Sequence, residues 1–116
     1  MTAVPHAWIR EFRGAITVCD PDGIILEMNE AAIRSNAADG GARLIGTSVY
    51  ECHPEPSLTK LKDFVARGVP NVYTVEKLGV KKLVYQSPWV VDGRYAGFLE
   101  VVLVITDYEG GIPDGT

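Results

Sequence analysis

Few side chains in this chain combine reactive chemistry with suggestive spacing, and the two histidines are the place to begin. His53 follows Cys52 directly and precedes Pro54, just ahead of the clearest helical stretch. An imidazole facing a pocket there can serve as an axial haem ligand. The plainer account has its ring nitrogens ordering the turn before Pro54 through backbone groups. Cys52-His53-Pro54 is not the C-x-x-C-H signature of covalent haem attachment. Cys52 is a redox-reactive thiol if exposed beside His53, and Cys19 reads as a small core hydrophobe. A structural role is the simpler account of both. Neither cysteine has C-x-x-C or zinc-ligand spacing, so no metal set is supplied and both read as reduced thiols of a cytoplasmic protein.

The second group of candidates sits on the late strands. Tyr73 stands on one; Tyr85, Ser87 and Trp89 alternate on the next; Leu99, Val101 and Leu103 share one face of the last. A buried Tyr or Trp wants a partner for its polar tip, which suits these residues to orienting a ligand. The ligand-binding set read from the sequence is therefore His53, Tyr73, Tyr85, Ser87, Trp89, Leu99 and Val101. The last strand is apolar on both faces, with Tyr95, Leu99, Val101, Leu103 and Ile105 on one, Phe98, Val102 and Val104 on the other, and Glu100 interrupting. Its second face needs cover. Trp8, Ile9 and Phe12 have the spacing of a short amphipathic helix that supplies part of it, and a second subunit supplies the rest. The expected homodimer interface is Trp8, Ile9, Phe12, Phe98, Val102 and Val104.

Catalytic motifs are lacking. No G-x-S-x-G elbow, Ser-His-Asp order or dinucleotide fingerprint occurs, and Gly40-Gly41 lacks the Lys-Ser/Thr of a phosphate loop. Glu76 and Glu100 read as solvated surface carboxylates. The chain is not expected to be an enzyme.

These residues must be positioned by one domain. At 116 residues with 47% hydrophobic content the chain can bury a genuine core without staples. A net charge of −4 and a pI near 5.1 provide no basic stripe for nucleic acid or an anionic membrane. The start carries no signal-peptide core, and the longest apolar run, 101–105, is too short to span a bilayer.

Along the chain, 15–19 is an apolar strand ending at the turn Asp20-Pro21-Asp22-Gly23, and 24–28 is its partner. Asn29 stands where an N-cap belongs, before the helix formers Glu30 to Ile33. The segment 36–41 reads as a loop, and 43–48 as a second short turn closed by glycine. The main helix is placed at 56–67, with Pro56 in its first position, Leu58, Leu61, Phe64 and Val65 on its stripe, and Gly68 as left-handed cap. Strands follow at 72–77, 82–91 and 95–106, the last two joined by the hairpin dipeptide Asp92-Gly93. This order gives an α+β fold: a five-stranded antiparallel sheet with short helices on one face.

Three stretches resemble the PAS sensory domain family. Asp22-Gly23 leading through Ile24 to Met28 and on to Asn29-Glu30-Ala31-Ala32 looks like the PAS opening, Leu44-Ile45-Gly46-Thr47-Ser48 its middle turn, and Asp92-Gly93 through Asp107 its last strand and ending. The likeness runs from about Gly14 to Asp107. Within the family, Cys52-His53-Pro54-Glu55-Pro56-Ser57 with Gly97-Phe98-Leu99-Glu100-Val101 is similar to PAS segments of some bacterial proteins that also carry hemerythrin-like domains. The resemblance implies an N-terminal cap at 1–13, a sensory domain at 14–107 and a tail at 108–116. It implies a small-molecule sensor that signals through dimer or partner contacts, with the output in a separate effector protein. The alternatives are an interaction module without ligand, and a haem-based redox or gas sensor using His53.

Overall fold

The computed structural model describes residues 6–51 and 55–105. Strand β1 (Ala15–Cys19) pairs antiparallel with β2 (Ile25–Met28). The turn between them is built by Asp20, whose carboxylate accepts the N–H groups of Asp22 at 2.9 Å and Ile24 at 3.0 Å. A short acidic side chain bonding two residues onward is the local geometry that makes Asp-Pro-Asp-Gly a turn. Helix α1 (Ala7–Arg10) precedes this hairpin as a single turn, and α2 (Glu30–Ser35) follows it. Asn29 caps α2 as its position predicts, accepting the Ala32 N–H at 3.0 Å.

The segment 36–41, expected as a loop, contains a 3-10 turn at Ala37–Asp39, and a second runs over Gly41–Leu44. Asn36 explains the first: its side-chain nitrogen donates to the Ala32 carbonyl at 2.8 Å, so the chain tightens at the end of α2 instead of leaving it. Residues 46–48 then close on β2, with Gly46 N–H donating to Ile25 O and Ile25 N–H to Thr47 O.

Helix α3 spans Ser57–Arg67. Pro56 is its N-cap, one position before the first helical place expected for it, and the Glu55 carboxylate before it accepts the Thr59 N–H of the first turn at 2.9 Å. Gly68, at φ 66°, ends the helix as expected. Leu61 and Phe64 carry its apolar stripe into a core with Cys19, Ile25, Val49 and Phe98. Phe64 and Phe98 meet edge to face, centroids 6.0 Å apart at 84°, a favoured aromatic geometry.

Strands β3 (Asn71–Lys77), β4 (Val80–Val91) and β5 (Arg94–Val104) form a meander, and the sheet order is β2-β1-β5-β4-β3. The last strand thus occupies the centre. Asp92 at φ 51° and Gly93 at φ 78° make the tight β4–β5 turn, the left-handed pair that a two-residue hairpin requires. The fold class is the one read from the sequence.

Pairing register assigns each side chain to a face, since partners across antiparallel strands point the same way. Thr17, Glu100, Gln86 and Asn71 form one cross-strand row; Ala15, Val102, Val84 and Tyr73 form the next. Cys19 pairs with Phe98, so all of these lie on the face that carries α3. The opposite face carries Ile16, Val101, Tyr85 and Val72 in one row and Val18, Leu99 and Ser87 in another.

Candidate functional site

A cleft of about 760 Å³ opens between α3 and strands β3–β5. Leu61, Phe64 and Val84 form its apolar wall, each 5% exposed and shared with the sheet–helix interior. Its polar side is the row Asn71, Gln86, Glu100. Asn71 Nδ2 donates to Gln86 Oε1 at 3.0 Å, and Gln86 Nε2 donates to Glu100 Oε2 at 2.9 Å. Gln86 is buried, at 4% exposure. The three residues sit on adjacent strands at one register level, so sheet spacing alone sets their separation.

Tyr73 lines the same cleft from β3. Burial raises its phenol pKa above the ordinary 10.0, and the nearby Glu100 carboxylate raises it further. Tyr73 therefore enters the site as a neutral hydroxyl, able to donate or accept. Lys60 and Arg67 reach the cleft from exposed positions on α3, and Arg67 is ion-paired with Asp63 one helical turn away.

This placement redistributes the residues read from the sequence. Tyr73 lies in the cleft. Tyr85, Ser87, Trp89, Leu99 and Val101 do not join it, because their register turns them to the opposite face. Of the expected interface set, Phe98 is 3% exposed and packed on Phe64, and Val102, half-buried, shares its face, so both point toward the side that carries α3. Val104, at 65%, and Trp8, at 81%, are exposed, and Phe12 is also exposed. Ile9 is half-buried beside a small hollow lined by Ile16, Val18 and Met28. His53 and Cys52 lie outside the described residues. Glu100, expected as a solvated surface carboxylate, is half-buried and bonded to Gln86, whereas Glu76 is exposed.

The sequence reading missed Asn71, Gln86 and Glu100 as a set. The available signal was Glu100 breaking an otherwise apolar strand, with Gln86 as the polar residue between Tyr85 and Ser87 in the neighbouring one.

The other histidine, His6, stands away from the cleft. Its Nδ1 contacts Glu27 Oε1 at 2.6 Å, and Arg10 lies 3.6 Å from Glu30, so both ties fasten α1 to the start of α2 and the end of β2. The central fastening is Asn29. Beyond capping α2, its Oδ1 accepts the Ile16 N–H at 2.9 Å, and its Nδ2 donates to Gly14 O at 2.8 Å and Ile9 O at 3.0 Å. Among the described residues, no group of three or more His, Cys, Asp and Glu stands together as a metal set, and no helix is long and apolar enough to cross a membrane.

No family model matches the chain, and no curated protein matches it. Solved structures do. A C-terminal domain from Streptococcus mutans superposes with TM-score 0.69 at 20% identity, over 84% of this chain and 80% of that one. The PAS domain of BvgS from Bordetella pertussis gives 0.65 at 18% identity, over 87% and 83%. The PAS domain of nitrogen regulation protein NR(II) from Vibrio parahaemolyticus gives 0.61 at 20% identity, over 90% of this chain and all of that one. These likenesses over more than four fifths of the chain show its fold, a PAS-like α+β fold.

Proposed function

We propose that this chain is a sensory signalling module that binds a small molecule in the cleft between α3 and β3–β5 and passes the change on through dimer or partner contacts. One observation carries the reading. The cleft of about 760 Å³ combines an apolar wall with polar groups converging from three adjacent strands. That combination is the usual construction of a small-molecule site, in which apolar area supplies affinity and a few fixed polar groups supply orientation. The signalling context of the structurally similar PAS domains supports the same reading. A non-catalytic role is part of the proposal, since binding and relay need none of the motifs absent from the sequence.

Native mass spectrometry of the purified protein tests subunit number and ligand together. The expected result is a dimer mass with a retained small molecule. A monomer at tens of micromolar, confirmed by ultracentrifugation, would count against relay through a homodimer and leave a separate effector protein as the partner.

The second reading is an interaction module without ligand. It is favoured by the outer sheet face, where Val72 is 53% and Tyr85 39% exposed among other apolar residues. A partner docked there would protect Val72 and Tyr85 from solvent while leaving Tyr73 and Gln86 unchanged. The haem alternative rests on His53, outside the described residues, and draws no ligand from the described cleft. Its described lining contains no His, Cys or Met, and the raised pKa of Tyr73 disfavours the phenolate an iron would take. A Soret band lost on His53→Ala would favour that alternative; the likeness of Cys52-His53-Pro54 to hemerythrin-linked segments stays a separate proposal.

A further inference from the structure

From the polarity of the Asn71–Gln86–Glu100 row, we infer that the cleft selects small ligands with a cationic N–H donor head, an amidinium or ammonium, on a compact apolar body. The inference rests on the cleft being the ligand site and names the ligand class.

The direction of the row follows from its last member. An ionised carboxylate only accepts hydrogen bonds, so Gln86 must turn its NH2 group to Glu100 and its carbonyl to Asn71. That carbonyl in turn requires the NH2 group of Asn71. One N–H of each amide is thus spent along the row, leaving Asn71 Oδ1 and its second N–H at one end and, at the other, Glu100 Oε1, which can only accept. Neither oxygen makes another hydrogen bond among the described residues. A ligand reaching the Glu100 end of the row meets an acceptor that carries the negative charge, and it is this end that sets the preference for a cationic donor.

The cationic residues of the lining do not reverse this. Arg67 is already paired with Asp63, and Lys60 is exposed on α3. Glu100 instead stands on the sheet beside Gln86, where water is scarcer and a charge-assisted hydrogen bond is worth more than at the surface. Leu61, Phe64 and Val84 provide contact for an apolar body on the same ligand.

The test uses three probes sharing a phenyl body: benzamidine (cationic), benzoate (anionic) and benzyl alcohol (neutral). Amide shift perturbation by NMR would be followed in the wild-type chain and in Glu100→Gln, which keeps an acceptor for Gln86 and so preserves the row. Benzamidine is expected to shift the amides of Leu61, Tyr73, Gln86 and Glu100. It should bind at least about tenfold more tightly than benzoate and lose about tenfold in affinity in Glu100→Gln, the scale of one charge-assisted hydrogen bond. Benzoate binding as tightly as benzamidine, or benzamidine affinity unchanged in Glu100→Gln, would overturn the ligand class. Should benzyl alcohol or benzoate shift cleft amides while benzamidine does not, the cation preference falls and the small-molecule cleft stands. If none of the three perturbs the cleft, both fall.

Discussion

Asn29 and Gln86 are the two buried polar side chains of the described residues, at 5% and 4% exposure, and both are carboxamides. They differ in what they hold. Asn29 bonds only to backbone: the Ile16 and Ala32 N–H groups and the Gly14 and Ile9 carbonyls. Gln86 bonds through its side chain to two other side chains, Asn71 and Glu100, at the edge of a cleft. An amide saturated by backbone ties chain segments together and has nothing left to offer a ligand. An amide saturated by side chains can change partners at the cost of a rotamer or two. Equal burial therefore marks architecture in one place and, under the proposed function, a binding surface in the other.

Substituting each amide by leucine is the most direct way to break the comparison. Asn29→Leu removes the α2 cap and strands the Ile16 N–H, and about 3 kcal/mol of stability should be lost in urea unfolding. The loss should be accompanied by faster hydrogen exchange around Gly14 and Ile16. Gln86→Leu strands only side chains that can turn toward solvent, and about 1 kcal/mol is expected. Equal losses in the two variants would show that the partners, backbone or side chain, do not matter.

Tyr73 sharpens the cleft half of the comparison through pH. Its folded-state pKa is raised by burial and by Glu100, so its contribution to stability is complete below about pH 10, the ordinary value, and is lost as pH rises toward the folded-state pKa. Urea midpoints measured between pH 9 and 11 should fall less steeply in Tyr73→Phe than in the wild type. Tyr50 and Tyr95, whose pKa values are also raised chiefly by burial, keep part of the alkaline slope. The smallest effect belongs to the exposed rim: Arg67→Ala breaks an i,i+4 pair with Asp63 and should cost about 0.5 kcal/mol or less, with most of that screened away in 1 M salt.

Much of the fold was legible because local chemistry dictated it. The Asp20 turn, the Asn29 cap, the Gly68 stop and the Asp92-Gly93 hairpin all act within a few residues of themselves. The cleft was less legible because it depends on register. Strand β5 is apolar on both faces, so alternation could not say which of Phe98 or Leu99 turns toward α3. Tyr73 and Tyr85 look equivalent in sequence, yet Tyr73 pairs with Val84 and Val72 with Tyr85, which puts the two tyrosines on opposite faces. Asn71, Gln86 and Glu100 are 14 to 29 positions apart, and nothing local announces that three strands bring them level. The double role of Asn29 was hidden for the same reason: capping is a local property, and holding α1 is not.

The seam between β5 and the end of β1 carries a last consequence. Gly97, at φ 141°, passes so close to the end of β1 that an added Cβ would collide with the Cys19 carbonyl and crowd the Asp20 Cα. Backbone cannot step aside as a flexible side chain does, so every other amino acid there forces the two strands apart. Gly97 lies outside the cleft lining, and at Glu100, three residues on, the fold asks only for an acceptor to Gln86. In a saturation library scored only for survival of the protein, position 97 would accept fewer residues than position 100, where an acceptor for Gln86 suffices. Intolerance at position 97 traces where two strands touch, and such a screen would rank the cleft positions by their packing and hydrogen bonds alone.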